Sequence, residues 1–167
     1  DFKASGYPTT REELWRFIDV SRVAEGYADP AAAICTAEAW KPTDLSFECL
    51  DKICLVFENG RLSLEKSCVL GLPDGVTIGS IMDHVDPKLG TLADSQSAFV
   101  SANTAYFGDG AFIEVSDGVE LEAPIHLVYL ADADGAAFHL RNFISAGAGS
   151  KVTVVEEYIG KPDTTYW

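Results

Sequence analysis

Few side chains in this chain could do chemistry, and their spacing decides what they could do. The cysteines are four, Cys35, Cys49, Cys54 and Cys68. Four residues separate Cys49 from Cys54, which matches none of the tight pairs that hold zinc. Cys35 and Cys54 lie within apolar runs and read as small buried hydrophobes. The histidines, His84, His126 and His139, form no pair at metal-ligand spacing. His126 and His139 fall in strand-like runs and would be neighbours if successive turns stacked. They read as structural or surface residues, because ligand sets bring together more converging groups than this. No HExxH, GxxxxGK[ST] or GxSxG motif occurs. The GAGSK run at residues 147–151 ends like a phosphate loop. It lacks the leading glycine and runs into a strand, so no helix dipole would face a phosphate. Glu156 and Glu157 are adjacent, and adjacent strand residues point to opposite faces, so they cannot share one substrate. Asp109, Asp117, Asp132 and Asp134 occupy turn positions, where aspartate is favoured for its bonds to backbone. Arg141 and Asn142 interrupt an apolar strand, a place where they are expected to bond backbone or a neighbouring turn. The residues therefore offer no catalytic group and no metal ligand, and leave any cofactor-binding residue unknown.

These side chains need elements to hold them, and the chain is rich enough in apolar residues to build them. Of its 167 residues, 47% are hydrophobic, enough to bury a core. The net charge is −14, which argues against nucleic acid and against an anionic membrane surface, since both are bound through clustered Lys and Arg. No apolar run reaches the ~18 residues of a spanning helix, and no basic-then-apolar leader precedes the rest. A reduced, cytoplasmic setting is expected. Beginning at Asp1 and stopping at Trp167 just after a strand-like run, the chain reads as a fragment of something longer.

Thr9 reads as a helix N-cap with Glu12 as its capping-box partner. Leu14, Phe17 and Ile18 would share one face of that helix, which should end by Gly26. Asp29 and Pro30 would start another helix over residues 31–40. Residues 53–57 form a strand, and Asn59-Gly60 turns it back as a hairpin into residues 61–64. A short strand follows at residues 76–78. Ser80 would cap a short helix stopped by Pro87, and Asp94 or Ser95 a second one with Phe99, Ala102, Asn103 and Tyr106 on one side.

From residue 98 to residue 160 short β-rich runs alternate with glycine and aspartate turns: FIEV, VELE, IHLVYL, FHLRNFI and VTVVEEYI. Ile113 and Val115, Val119 and Leu121, and Ile125, Leu127 and Tyr129 repeat at period two and would face one way. Yet IHLVYL and VTVV are apolar on both faces, as in strands covered on both sides. A β-solenoid meets both demands. No clean repeat length is present, so periodicity alone leaves a sandwich open. The division expected is a mixed α/β region over residues 1–97 and the start of a β-helix core over residues 98–167.

Several segments resemble one family. GYPTTREELWRF (residues 6–17) and LVFENGRLS (residues 55–63) are similar to the opening and the hairpin of SufD. AFVSANTAYFGDGAFIEV, GVELEAPIHLVYL and RNFISAGAGSKVTVVEEYIG are similar to the start of the core domain shared by the SufB and SufD subunits of the SUF iron–sulfur cluster machinery. The resemblance implies a mainly β fold, a right-handed parallel β-helix whose first turns follow a small mixed α/β region. It implies a non-enzymatic scaffold that pairs with SufB, acts with the ATPase SufC, and handles an iron–sulfur cluster within the whole complex. No cofactor is expected on this stretch, because the family's residues for cluster assembly lie beyond Trp167, and the four cysteines match no family ligand motif. Rival readings are a SufB-type paralogue, a β-helix carbohydrate-active protein and a small metal-binding module. The β module holds few basic residues, Arg141 and Lys151, which counts against the carbohydrate reading.

Overall fold

The computed structural model describes residues 2, 6–25, 53–84, 86–93 and 97–165. The helix expected over residues 31–40, together with Cys35, Cys49, Asp94 and Ser95, lies outside them. Among the described residues eight strands carry the fold: β1 Ile53–Glu58, β2 Arg61–Leu62, β3 Cys68–Val69, β4 Val76–Ser80, β5 Ala111–Val115, β6 Ile125–Ala131, β7 Phe143–Ala146 and β8 Val154–Gly160. They form two sheets. One has the order β2-β1-β6-β8, with β3 also on β1; the other has the order β4-β5-β7. The protein is mainly β, with short helices at Ser21–Glu25 and Ala98–Tyr106.

Two passes of the chain stack in register. Phe112 pairs with Phe143 and Val115 with Ala146 in the parallel β5–β7 ladder, an offset of 143 − 112 = 31 residues. The isolated parallel bridges Asp109–Leu140 and Glu120–Lys151 keep that offset. In the parallel β6–β8 ladder Ile125 pairs with Val154 and Tyr129 with Tyr158, an offset of 154 − 125 = 29. The first pass places four residues, 121–124, between its bridge and its second strand, where the second pass places two, 152–153. β1 lies parallel to β6 on the side away from β8, and β4 lies antiparallel to β5 on the side away from β7. Strands from before residue 98 thus cover one end of the stack. Beyond residue 115 the expected VELE strand reduces to the single bridge at Glu120, and FHLRNFI is a strand only over Phe143–Ala146.

The core lies between the sheets. Ile53, Leu55 and Phe57 of β1, Ile125, Leu127 and Tyr129 of β6, and Ala111, Ile113 and Val115 of β5 are buried together with Leu121. This is the alternation read from the sequence, one inward residue in two. The outward residues Cys54, Val56, Val128 and Leu130 form a second apolar cluster, so every residue of β6 is buried. The doubly apolar IHLVYL run is covered on both faces, as its composition demanded. β8, in contrast, is only partly covered.

The hairpin after β1 forms as Asn-Gly predicts, with φ of 47° at Asn59 and 81° at Gly60. Asn59 is buried and does more than turn. Its Oδ1 accepts from the backbone N–H of Asp132 (2.9 Å) and Ala133 (3.3 Å), and its Nδ2 donates to Asp132 Oδ1 (2.5 Å). It therefore ties the hairpin to the end of β6. Asn59→Ala would strand those part-buried donors and place a Cβ-bearing residue without αL tolerance at positive φ. A loss of about 2–3 kcal/mol is expected, read as a lower urea midpoint at unchanged slope.

The N-terminal helix departs from expectation. A 3₁₀ turn at Glu13–Trp15 and the separate five-residue helix Ser21–Glu25 replace one continuous helix. Half of the capping box forms, with Thr9 N–H donating to Glu12 Oε1 (3.0 Å). Leu14, Phe17 and Ile18 are exposed by 91%, 86% and 55%, so no buried face rewards propagation of the helix. Trp15 packs 5.2 Å from the Phe99 ring, and Val20, between the two short turns, is buried. Ser80 caps the 3₁₀ turn Ile81–Asp83 by accepting from Met82 N–H, and Ser97 is the N-cap of Ala98–Tyr106.

Candidate functional site

The stack leaves one end open, and the side chains that could bind something gather there. β7 and β8 each have one strand neighbour among the described residues. An interior column of rings runs along the stack toward β8: Phe57 stacks on Tyr129 (5.4 Å), and Tyr129 on Tyr158 (4.7 Å). Phe57 is fully buried, whereas Tyr158 is 70% exposed. A second column runs His84–Phe112–Phe143, with centroid separations of 4.1 and 5.4 Å. Stacked columns follow from the parallel register, which sets like positions of successive passes one above the other.

At the end of the first column sits a polar group of four. Asn142 Nδ2 donates to Tyr129 Oη (2.6 Å) and to Glu156 Oε1 (2.7 Å), and Tyr158 Oη donates to Glu156 Oε2 (2.7 Å). Asn142 Oδ1 accepts from Ala111 N–H (2.9 Å), joining the two passes. Burial, outweighing the Asn142 bond, pushes the Tyr129 phenol well above its ordinary range. Tyr158 is pushed up to about 12, by burial first and then by its bond to Glu156. Both phenols stay protonated at neutral pH, so they act as hydrogen-bond donors, acceptors and ring faces, and not as bases or nucleophiles.

The remaining residues marked in the sequence have structural partners. Asp117 Oδ1 accepts from Ala148 N–H (2.7 Å) and Asp134 Oδ1 from Thr165 N–H (2.8 Å). These turn carboxylates bond the backbone of the next pass, and not only their own turns. Asp109 is buried and accepts from Ser80 Oγ (2.5 Å), Leu62 N–H (2.8 Å) and Gly110 N–H (2.8 Å). Asp132 takes the Asn59 bond. Arg141 clamps the helix Ala98–Tyr106, with Nε donating to Asn103 Oδ1 and Nη2 to Thr104 Oγ1, each at 2.8 Å. Its partners are therefore helix side chains as well as backbone. Burial lowers its pKa and that of His139, which lies beside the Tyr106 ring. His126 belongs to a different place, with Nε2 3.2 Å from Glu157 Oε2 on the outer face of the β6–β8 sheet. Glu156 and Glu157 do point to opposite faces. GAGSK is a turn between β7 and β8, with Lys151 Nζ on Glu120 (2.9 Å). Cys54 and Cys68 face each other across β1 and β3. Among the described residues no three His, Cys, Asp or Glu side chains converge as a metal site, and no helix is long and apolar enough to cross a membrane.

The arrangement can bind and stack, and among the described residues no acid–base pair is aimed at a common point. What sequence reading missed is the cluster itself. Asn142 and Glu156 sit fourteen residues apart, and only the two-pass register brings them together with Tyr129.

Comparison with known proteins finds a family and a curated relative. Residues 1–127 match the family described as SufBD protein N-terminal region. A curated relative from Synechocystis sp. (strain ATCC 27184 / PCC 6803 / Kazusa), described as iron-sulfur cluster assembly SufBD family protein slr0076, is 26% identical over 160 residues. That alignment covers 90% of this chain and 35% of the relative, so the chain spans about a third of the relative's length.

Proposed function

The chain belongs to the SufBD family, whose N-terminal region its first 127 residues match, and from that premise we propose that it is the N-terminal part of a SufD-type subunit. Its role is a non-enzymatic scaffold for iron–sulfur cluster assembly in the cytoplasm. The whole protein pairs with SufB and acts with the ATPase SufC, and the cluster is cargo of that complex, with no cofactor resident on this stretch. The choice of SufD over SufB rests on the GYPTT opening and the Asn-Gly-Arg hairpin.

The observation that carries the reading is the register. Parallel ladders offset by 31 and 29 residues are what the first two coils of a β-helix produce. Crossovers between parallel strands of one sheet are right-handed in about 98% of cases, which favours the right-handed form. A rigid stack that ends in ring columns and strand edges with one neighbour among the described residues suits continuation and docking.

The test is anaerobic co-purification of the full-length protein, tagged, with candidate SufB, SufC and SufD. Retention of both supports the reading. A complex with SufC and a SufD partner but no SufB makes the chain SufB-type. A protein that ignores all of them overturns the scaffold assignment.

A further inference from the structure

We propose that Cys54 and Cys68 are a thiol pair that hydrogen peroxide oxidises to a cross-strand disulfide. The two are direct Cα partners across the antiparallel β1–β3 pair, and directly opposed residues send their side chains to the same face. Val56 N–H donates to Ser67 Oγ (2.9 Å), and Val56 O accepts from Ser63 N–H (2.8 Å). Val56 thus directs its backbone groups to the β2–β3 side. Backbone direction repeats every second residue, so Cys54 faces that side too, and Cys54–Cys68 is the hydrogen-bonded kind of pair. Such pairs hold their Cα atoms about 5.5 Å apart, within the separation of about 5.5–6 Å most common for disulfides. Both residues are thiols in this structure, so the bridge needs oxidation and a closer approach of the two Cβ atoms, from the roughly 4.5–5.5 Å of directly opposed strand residues to the roughly 3.5–4.5 Å of a disulfide.

Exposure divides the roles. Cys68 is half-buried and reachable, whereas Cys54 is 1% exposed. The Cys68 thiolate attacks one peroxide oxygen, an S–O bond forms, the O–O bond breaks and hydroxide leaves, taking up the thiol proton as water. The Cys54 sulfur then attacks the resulting sulfenic sulfur, the S–S bond forms, and the hydroxyl leaves with the Cys54 proton as a second water. Two thiols are oxidised and one peroxide is reduced.

The enclosed loop is structurally consequential. It carries Arg61, whose Nη1 donates to Gly108 O, and Leu62, whose N–H donates to Asp109 Oδ2 (2.8 Å). Oxidation would close a covalent ring around the contact by which the hairpin holds the corner entering β5.

The experiment treats the folded chain with hydrogen peroxide, blocks remaining thiols in urea with N-ethylmaleimide, and maps peptides after trypsin. Cleavage at Lys52, Arg61 and Lys66 puts Cys54 and Cys68 in separate peptides, and both apart from Cys35 and Cys49. The Cys54–Cys68 linked peptide is expected as the main cysteine product, dissolved by dithiothreitol and absent from Cys68→Ser. It should form several-fold less when peroxide is added in urea. Links from Cys54 or Cys68 to the Cys35/Cys49 peptide as the main product would overturn the proposal. So would a Cys68 sulfinic acid with Cys54 fully blocked, or equal yields with and without urea.

Discussion

Leu127→Asp is expected to leave the β-rich part of the chain unfolded under conditions where the unsubstituted protein is folded. Leu127 has no exposed surface and sits in the core with Leu55 and Ile113. Removing a fully buried leucine forfeits about 2–3 kcal/mol of apolar burial. Leaving a carboxylate there without a partner costs several kcal/mol more. The register adds a third penalty, because Leu127 lies directly between Leu55 and Glu156, and a second negative charge would face the existing one. The sum rivals the roughly 5–15 kcal/mol that stabilise a whole domain. Circular dichroism and limited proteolysis check it: loss of the β signal with rapid cleavage is expected. A soluble variant with an unchanged melting point would remove Leu127 from the interior.

Gly110→Ala carries the second large effect, through sterics and not charge. An added Cβ would lie 1.8 Å from Arg141 O. That oxygen is backbone and cannot swing aside. Gly110 also has φ of 155°, which a side chain rarely accepts. The position is where the second pass crosses the first: Asp109 bridges to Leu140, Arg141 N–H donates to Asp109 O (3.0 Å), and Ile81 N–H donates to Gly110 O (2.8 Å). Relieving the overlap means parting these contacts together. A cost of about 3 kcal/mol or more follows, a fall in melting temperature of about 6–12 °C for a chain of this size. A fall of a degree or less would mean that the two passes do not approach each other at this corner.

Particular residues show what could be read in advance. The inward set from Ile113 to Tyr129 was legible because strand alternation depends on local sequence alone. The Asn59-Gly60 hairpin was legible because few residue pairs accept two positive φ angles in succession. The N-terminal helix was misread because a capping box and an apolar stripe stabilise a helix only if something covers the stripe, and Leu14 and Phe17 stay in water. The repeat was hidden by its own irregularity. Phe112 and Phe143, Ile113 and Ile144, and Tyr129 and Tyr158 are matched positions, but the shorter second connection shifts the offset from 31 to 29. A search at a period of 31 therefore keeps the first two pairs and loses the third.

The same shift explains the site. Glu156 reads in sequence as half of an acidic pair with Glu157, yet Asn142 and Tyr158 claim it on the inner face while Glu157 meets His126 on the outer one. The separation of the two carboxylates was predictable from pleating. Their partners were not, because each lies on another strand. Cys54 and Cys68 were opaque for the same reason, since the hairpin that opposes them ends in a two-residue strand too short to announce itself.

Hydrogen exchange read at each amide tests the two-pass stack, and its continuation, most directly. Ile125 N–H donates to Thr153 O and Lys161 N–H to Ala131 O, both at 2.8 Å, so alternate residues of β8 face β6. By that alternation the amides of Glu156, Tyr158 and Gly160 face the open edge. In the 167-residue chain those three should exchange fast, while the amides of β6, flanked by β1 and β8, are the slowest. In a full-length protein carrying this region, all three should become protected as a further coil pairs with β8. Fast exchange along β6 would contradict the strand order, and edge amides that stay fast in the full-length protein would contradict the β-helix reading.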